Sequence, residues 1–134
     1  MKIVDLSKDQ IEQIRNDLEE FNDNHVSYRI DGRITIGIEK DGQIIGGLLA
    51  YMSVYKILYV DTVFVQEQYR RKGYGKKLME AMEEKAKQLG ANTIRLDTFN
   101  WQGKDFYLAL NYEQAGYYRN NEEGYEEYFF LKRL

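Results

Sequence analysis

One stretch, Leu58 to Leu89, restricts this chain more than any other. It opens LYVDTVFV, rich in β-branched and aromatic residues, which predicts a strand. It closes KKLMEAMEEKAKQL, with Leu78, Met79, Met82, Ala86 and Leu89 on one helical face. Between them lies Arg70-Arg71-Lys72-Gly73-Tyr74-Gly75. Two glycines at this spacing let the backbone turn tightly, so that successive N–H groups converge. The start of the following helix adds partial positive charge. Arg70, Arg71, Lys72, Lys76 and Lys77 add full charges with no acid among them. Strand, basic glycine loop and helix together predict a site for a phosphate or pyrophosphate.

The loop excludes two common phosphate binders. A Walker loop needs Ser or Thr after its Gly-Lys, and none follows Gly75; a dinucleotide fingerprint needs G-x-G-x-x-G, and only one G-x-G is present. What remains is [Q/R]-x-x-G-x-[G/A], filled by Arg70, Gly73 and Gly75.

Cysteine is absent, which removes disulfides, thiolate zinc sites and a cysteine nucleophile. His25 is the lone histidine and sits in a polar stretch, so no histidine-centred metal site or triad is expected. Catalysis must then rest on carboxylates, tyrosines and backbone dipoles. A net charge of −3 argues against general nucleic-acid binding despite the basic loop. No apolar run is long enough to span a bilayer and no signal-like start is present, so the expectation is a cytoplasmic protein with no membrane partner. The length of 134 residues fits a single domain, residues 1–134.

Along the chain, Lys2 to Leu6 predicts a short strand. Ser7 and Gln10 form a capping box, and Ile11, Ile14, Leu18 and Phe21 make a helical stripe expected to pack in the core, ending near Asn22–Asn24. Ile34, Ile36 and Ile38 alternate with polar or small residues as a half-buried strand, and Asp41-Gly42 marks a two-residue hairpin. Gln43 to about Val54, apolar on both faces, is expected to be central in the sheet. With Leu58–Val65 this makes an antiparallel meander. After the long helix, Gly90 supplies a stop and Thr93–Phe99 a strand, giving a βαβ unit with a parallel pair. Asn100–Gly103 is a loop, Lys104–Leu110 a short helix stopped at Asn111, and Glu113–Asn120 with Tyr125–Leu131 a closing hairpin. The reading is α/β (α+β): a mixed, mainly antiparallel sheet with a central parallel βαβ unit and flanking helices. Such a change of direction opens a crevice at strand ends, here between Val65 and Phe99 beside the loop.

The motif in this context resembles the coenzyme A signature of the GNAT N-acetyltransferase superfamily, and the resemblance covers roughly Ile34 to Tyr112. It implies that acetyl-CoA is the cosubstrate, with no metal. It further implies that backbone groups of Val63, Phe64 and Val65 pair with the pantetheine arm. The pyrophosphate would lie on the N–H groups of Arg71, Lys72, Gly73, Tyr74, Gly75 and Lys76, with Arg70 at the first motif position, and Asn100 would contact the pantetheine. The family's x-F-Y-x-x-x-G-F helix reads here from Phe106-Tyr107 to Asn111-Tyr112, with Asn-Tyr replacing Gly-Phe. Tyr107 takes the place of the tyrosine that protonates the departing thiolate; the alternative is a tyrosine that only packs. Diamine acetyltransferases of the family carry Glu nine residues before the loop arginine, which puts Asp61 there as candidate base. Asp97 is the second candidate, and each could instead only hydrogen-bond a neighbouring strand. Thr98, Trp101 and Gln102 are expected to line the same crevice.

LDTFNWQ (Leu96–Gln102) and the terminal YFFLKRL resemble a subgroup of small bacterial GNAT proteins of undefined substrate. The implied function is acetyl transfer to a primary amine of a small molecule such as a polyamine, aminoglycoside or amino acid. An acyl-CoA sensor without turnover, a protein or peptide N-acetyltransferase, and a nucleotide-binding module are the competing readings. Many family members dimerise, so a homodimer is a family-level expectation.

Overall fold

The computed structural model describes residues 1–26, 30–53 and 55–134. Its sheet begins with an antiparallel meander of β1 (Arg33–Lys40), β2 (Gln43–Met52) and β3 (Ile57–Val65). Asp41 and Gly42 both take positive φ, 51° and 77°, as the two-residue turn between β1 and β2 requires. The predicted end of β2 at Val54 lies outside the described residues.

Helix α2 (Tyr74–Leu89) crosses from β3 to the parallel strand β4 (Thr93–Phe99) and packs over β1, β2 and β3. Its buried residues are Leu78, Met79, Met82 and Ala86, the face its spacing predicts. Gly90 at φ 95° terminates it. A short helix, α3 (Lys104–Ala109), follows and ends where Asn111 turns left-handed at φ 67°. The chain closes with β5 (Glu113–Arg119) and β6 (Glu126–Arg133), a hairpin close to the predicted one. The sheet order is β1-β2-β3-β4-β6-β5, so the last strand inserts beside β4 and its partner takes the edge.

The core fills the α2 side of the sheet. Ala50, Leu58, Val60, Ile94, Leu96 and Phe130 meet α2 and α3 there. The opposite face carries the row Arg33–Tyr51–Tyr59–Arg95–Leu131, set by the strand registers, and no helix of the described residues packs extensively on it. β2 is therefore interior, flanked on both edges, but its second face is open: Ile44 and Tyr51 are exposed.

Two expectations fail at the N-terminus. Lys2 to Leu6 forms no strand, and its apolar residues lie in solvent. Helix α1 (Lys8–Asp23) has the predicted capping box, but it buries no residue. Ile11, Ile14, Leu18 and Phe21 are 41%, 57%, 58% and 61% exposed, so among the described residues the stripe expected in the core is left uncovered, apart from the edge-on contact of Phe21 with the His25 ring at 5.0 Å. Periodicity identifies a face that needs cover; it does not say what supplies it.

Because the core rests on the α2 side, trimming it there should be costly. Ile94→Ala, at a fully buried site on β4, should lower unfolding free energy by about 2–5 kcal/mol. Denaturant melts measure this, and a loss below about 1 kcal/mol would contradict the assigned core.

Candidate active site

The parallel pairing of β3 and β4 is short. It runs only through Ile57↔Thr93, Leu58↔Ile94 and Tyr59↔Arg95. β3 stays paired with β2 as far as Gly46↔Val65, while β4 stays paired with β6 as far as Phe99↔Glu127. Beyond Tyr59 and Arg95 the two strands therefore part, each held by its outer neighbour. The crevice expected between Val65 and Phe99 is present, and Val63, Phe64 and Val65 form one wall with no strand on their inner edge.

The basic loop leaves this wall directly. A single helical turn (Glu67–Tyr69) precedes Arg70, whose Nε donates to the Val65 carbonyl at 2.7 Å while its guanidinium lies 5.0 Å over the Phe64 ring. Arg70 thus braces the loop against the strand end. Arg71 and Gly73 then take positive φ, 63° and 84°. Gly73 is the N-cap of α2, no side chain caps the helix, and no acid lies in its first turn. The first helical bond runs from the Lys77 amide to the Gly73 carbonyl, so the amides of Tyr74, Gly75 and Lys76 precede the helical ladder. Nothing lies within 4 Å of where a Gly73 Cβ would stand, which leaves the approach to these amides open. Lys72 lies over the Tyr69 ring at 6.0 Å. Lys76 makes only an exposed 3.9 Å pair with Glu80, which leaves its charge available to an anion. Lys40, from the end of β1, stands 5.7 Å over Tyr69 and 5.9 Å over Tyr74 and joins this rim. The sequence gives no sign of Lys40, because only the hairpin register brings it there.

Gly75 has a separate task. A Cβ there would come 3.2 Å from the Phe106 ring, so the glycine lets α3 lie against the first turn of α2. That contact brings the Tyr107 helix beside the loop. Tyr107 is 8% exposed and packs against Phe106, Tyr112 and Phe130. Burial pushes its phenol up to about 12. Tyr112 is raised further, by burial and then by Glu83, which accepts its hydroxyl at 3.0 Å and pairs with Lys132 at 2.8 Å.

Across the crevice, Asn100 is tied to β6: its Oδ1 accepts from the Glu126 amide at 2.9 Å, and its own amide donates to the Glu126 carbonyl. Its side-chain amide group remains as the donor facing a depression of about 320 Å³ shared with Gly103, Lys104 and Phe106. Thr98 is buried, and its Oγ1 accepts from the Gly103 amide at 3.1 Å. Gln102 Oε1 accepts from the Phe99 amide at 2.8 Å. These two residues shape the turn that launches α3. Trp101 is 64% exposed and stacks on Phe99 at 4.8 Å, with Tyr125 edge-on to both rings.

Both candidate carboxylates lie on the open face, each two residues past the last β3–β4 pair. Asp61 is the extra residue of a β-bulge: Leu49 pairs with Thr62 and Ala50 with Val60, which leaves Asp61 unpaired. It is exposed and accepts from the Thr62 hydroxyl at 2.9 Å, so it incurs no burial cost of the kind expected from its apolar neighbours. Asp97 accepts from the Tyr59 hydroxyl at 2.9 Å. Tyr59 is pushed up to about 12 by burial, by that bond, and by the charges of Asp97 and then Asp61. Sequence reasoning missed Tyr59, although it stands two residues before Asp61 on the same strand. With Tyr51, Arg95 and Phe129, Tyr59 and Asp97 line an open depression of about 440 Å³, and Asp61 lies outside it. Asp61 and Tyr107 thus stand on opposite faces of the sheet. Among the described residues no cluster of His, Asp and Glu is arranged to hold a metal ion, and no helix is long and apolar enough to cross a membrane.

Comparisons with known proteins agree with this geometry. Residues 3–112 match the acetyltransferase (GNAT) family. An acetyltransferase from Bacillus cereus ATCC 14579 superposes at TM-score 0.91 with 28% identity, over 100% of this chain and 98% of that one. An aminoglycoside 6'-N-acetyltransferase complexed with coenzyme A shares the fold at TM-score 0.68 and 17% identity, over 75% and 72% of the two chains. An L-ornithine N5-acetyltransferase from Arabidopsis thaliana is 37% identical over 59 residues, which is 43% of this chain and only 24% of that protein.

The raised phenols give a signed pH prediction. Tyr107 is neutral when protonated and its folded value exceeds the ordinary 10.0, so its contribution is complete below pH 10 and is lost as pH rises toward about 12. Tyr107→Phe should therefore lose less stability than the parent over that interval, as read by denaturant melts at successive pH values. Equal losses would place the phenol in solvent.

Proposed function

The chain belongs to the acetyltransferase (GNAT) family and is an acyltransferase, and from that premise we propose that it moves an acetyl group from acetyl-CoA to a primary amine of a small molecule. The observation that carries this reading is the join between two features: a crevice where β3 and β4 part, and an uncapped helix start ringed by Lys and Arg at its mouth. The first accepts an extended arm along an unpaired strand edge. The second accepts a pyrophosphate. The whole described chain serves this one domain, and a cytoplasmic setting fits its use of acetyl-CoA.

Acetyl-CoA would be held by the loop amides of Tyr74 to Lys76, by Arg71, Lys72 and Lys76, by the backbone of Val63–Val65 and by Asn100; it supplies the acetyl thioester. A backbone N–H of the parted β3 segment donates to the thioester oxygen, where negative charge grows during attack. Asp61, through water, removes a proton from the ammonium group, with Asp97 as the second candidate. The free amine forms the new C–N bond as the C–S bond breaks. Tyr107, whose raised value keeps its proton throughout the neutral range, then gives that proton to the sulfur, and the proton that the acylated nitrogen sheds restores the phenol through water.

Two features favour a cationic acceptor. The paired carboxylates stand at the apex on the open face. The Phe99–Trp101–Tyr125 aromatic group lies beside Glu127 and Glu126 at the end of β4 and can receive an ammonium or its alkyl stem. Ornithine and aminoglycosides, the acceptors named for the related enzymes, have this chemistry.

Thermal shift and thiol release test the reading separately. Acetyl-CoA at a hundred times its dissociation constant should add about 2.7 kcal/mol of stability. Gly73→Asp, which meets no atom within 4 Å but strains a left-handed φ of 84° and places a carboxylate at the pyrophosphate position, should abolish that gain; a full gain in the folded variant would put the ligand elsewhere. Tyr107→Phe should bind acetyl-CoA normally and lose roughly 10²–10⁴-fold in turnover. Parent-level turnover in that variant would remove Tyr107 from the chemistry.

A further inference from the structure

The structure leaves two apolar surfaces of one chain uncovered. The first is the N-terminal arm. α1 shows Ile11, Ile14, Leu18 and Phe21 to solvent, and Ile3, Val4 and Leu6 before it are exposed as well. Isolated helices of this length are marginal in water, so a stripe of this kind needs a surface to rest on. The second is the open face of the sheet, where Tyr51, Tyr59, Phe129 and Leu131 line the depression of about 440 Å³. An antiparallel-dominated sheet can leave one face in water, but such a face is then polar; this one is aromatic.

From this match we infer that two copies of the chain exchange arms, each laying α1 across the open sheet face of the other. Charge supports the second copy as the occupant. α1 holds six acids against two bases in KDQIEQIRNDLEEFND. The open face offers Arg33 and Arg95, both exposed, at either side of the Tyr51–Tyr59 pair, and among the described residues neither makes an ion pair; Asp97 on the same face is held by the Tyr59 hydroxyl and Asp61 by that of Thr62. Asp17 and Glu20, beside the apolar stripe, can meet these guanidinium groups while the stripe covers the tyrosines. The solved Bacillus cereus acetyltransferase matches this chain over 100% of its length at TM-score 0.91, a match that extends over the N-terminal arm. An arm that finds its complement on a second copy of the same chain closes a two-fold pair with two identical docks.

This arrangement has a consequence for the proposed reaction, and that consequence rests on the reading above. The open face carries Asp61, Asp97 and Tyr59, so the partner's helix would roof the acceptor side of the crevice while leaving the acetyl-CoA loop, at the start of α2 on the opposite side of the sheet, untouched. The acceptor pocket would then be complete only in the dimer.

The full-length protein tests this. Light scattering should give twice 15.9 kDa. Ile14→Glu with Leu18→Glu should give the single-chain mass and retain its circular dichroism and acetyl-CoA thermal shift. In that variant the acceptor KM should rise about tenfold or more. Since the chain has no cysteine, cross-linking can report the partner directly. Leu18→Cys and Thr35→Cys chains, mixed and treated with a bis-maleimide, should yield a covalent dimer holding one of each. A parent of single-chain mass, a dimer that survives the double Glu variant, or a doubly substituted chain that cross-links only within itself would each overturn the exchange. Thiol release is read apart from mass: an inactive dimer would defeat the proposed reaction and leave the exchange standing, and an active monomer would do the reverse.

Discussion

The early end of the β3–β4 ladder is the constraint on which the rest of the site depends. Three paired residues hold the two strands together. After Tyr59 and Arg95 each strand follows its antiparallel neighbour, and those neighbours diverge. The bulge at Asp61 falls just beyond this point and adds local twist to β3. A crevice inside a sheet would ordinarily cost unpaired backbone groups. In the proposed function those groups pair with the extended arm of the ligand, so the defect in the sheet and the proposed binding edge are one feature.

The loop and the two helices exploit that opening from the α2 side. Arg70 ties the loop to the last residue of the wall, Gly73 turns it, and Gly75 makes room for α3. Each of the three motif positions therefore has a distinct physical duty in shaping the loop. The opposite side holds the carboxylates and the aromatic depression. The proposed acid–base division of labour follows the sheet: burial on one face raises the Tyr107 phenol, and the carboxylates proposed as bases are exposed on the other.

Much of this was legible in the sequence, for reasons that can be named. The capping box at Ser7, the Asp41-Gly42 turn, the α2 stripe and the Asn111 stop are local signals whose partners lie within a few residues, and the structure shows each of them. The location of the crevice followed from strand order, and the family signature located the loop. What the sequence could not convey depends on distant pairing. Lys40 reaches the loop through the β1–β2 register. Tyr59 meets Asp97 only because β3 and β4 are parallel in that register. β6 lies between β4 and β5, which hairpin signals alone do not specify. The α1 stripe was read as core because helical periodicity reports a need for burial and is silent on which surface, or which chain, meets it.

The central claim is that the parted end of β3 and the start of α2 together hold acetyl-CoA. Backbone hydrogen exchange with and without the ligand tests it most directly, since the groups concerned are amides. Saturating acetyl-CoA should slow exchange at Val63–Val65 and at Tyr74–Lys76, while the β1–β2 amides, already paired, change little. Unaltered exchange at both segments in the presence of demonstrated binding would contradict the account.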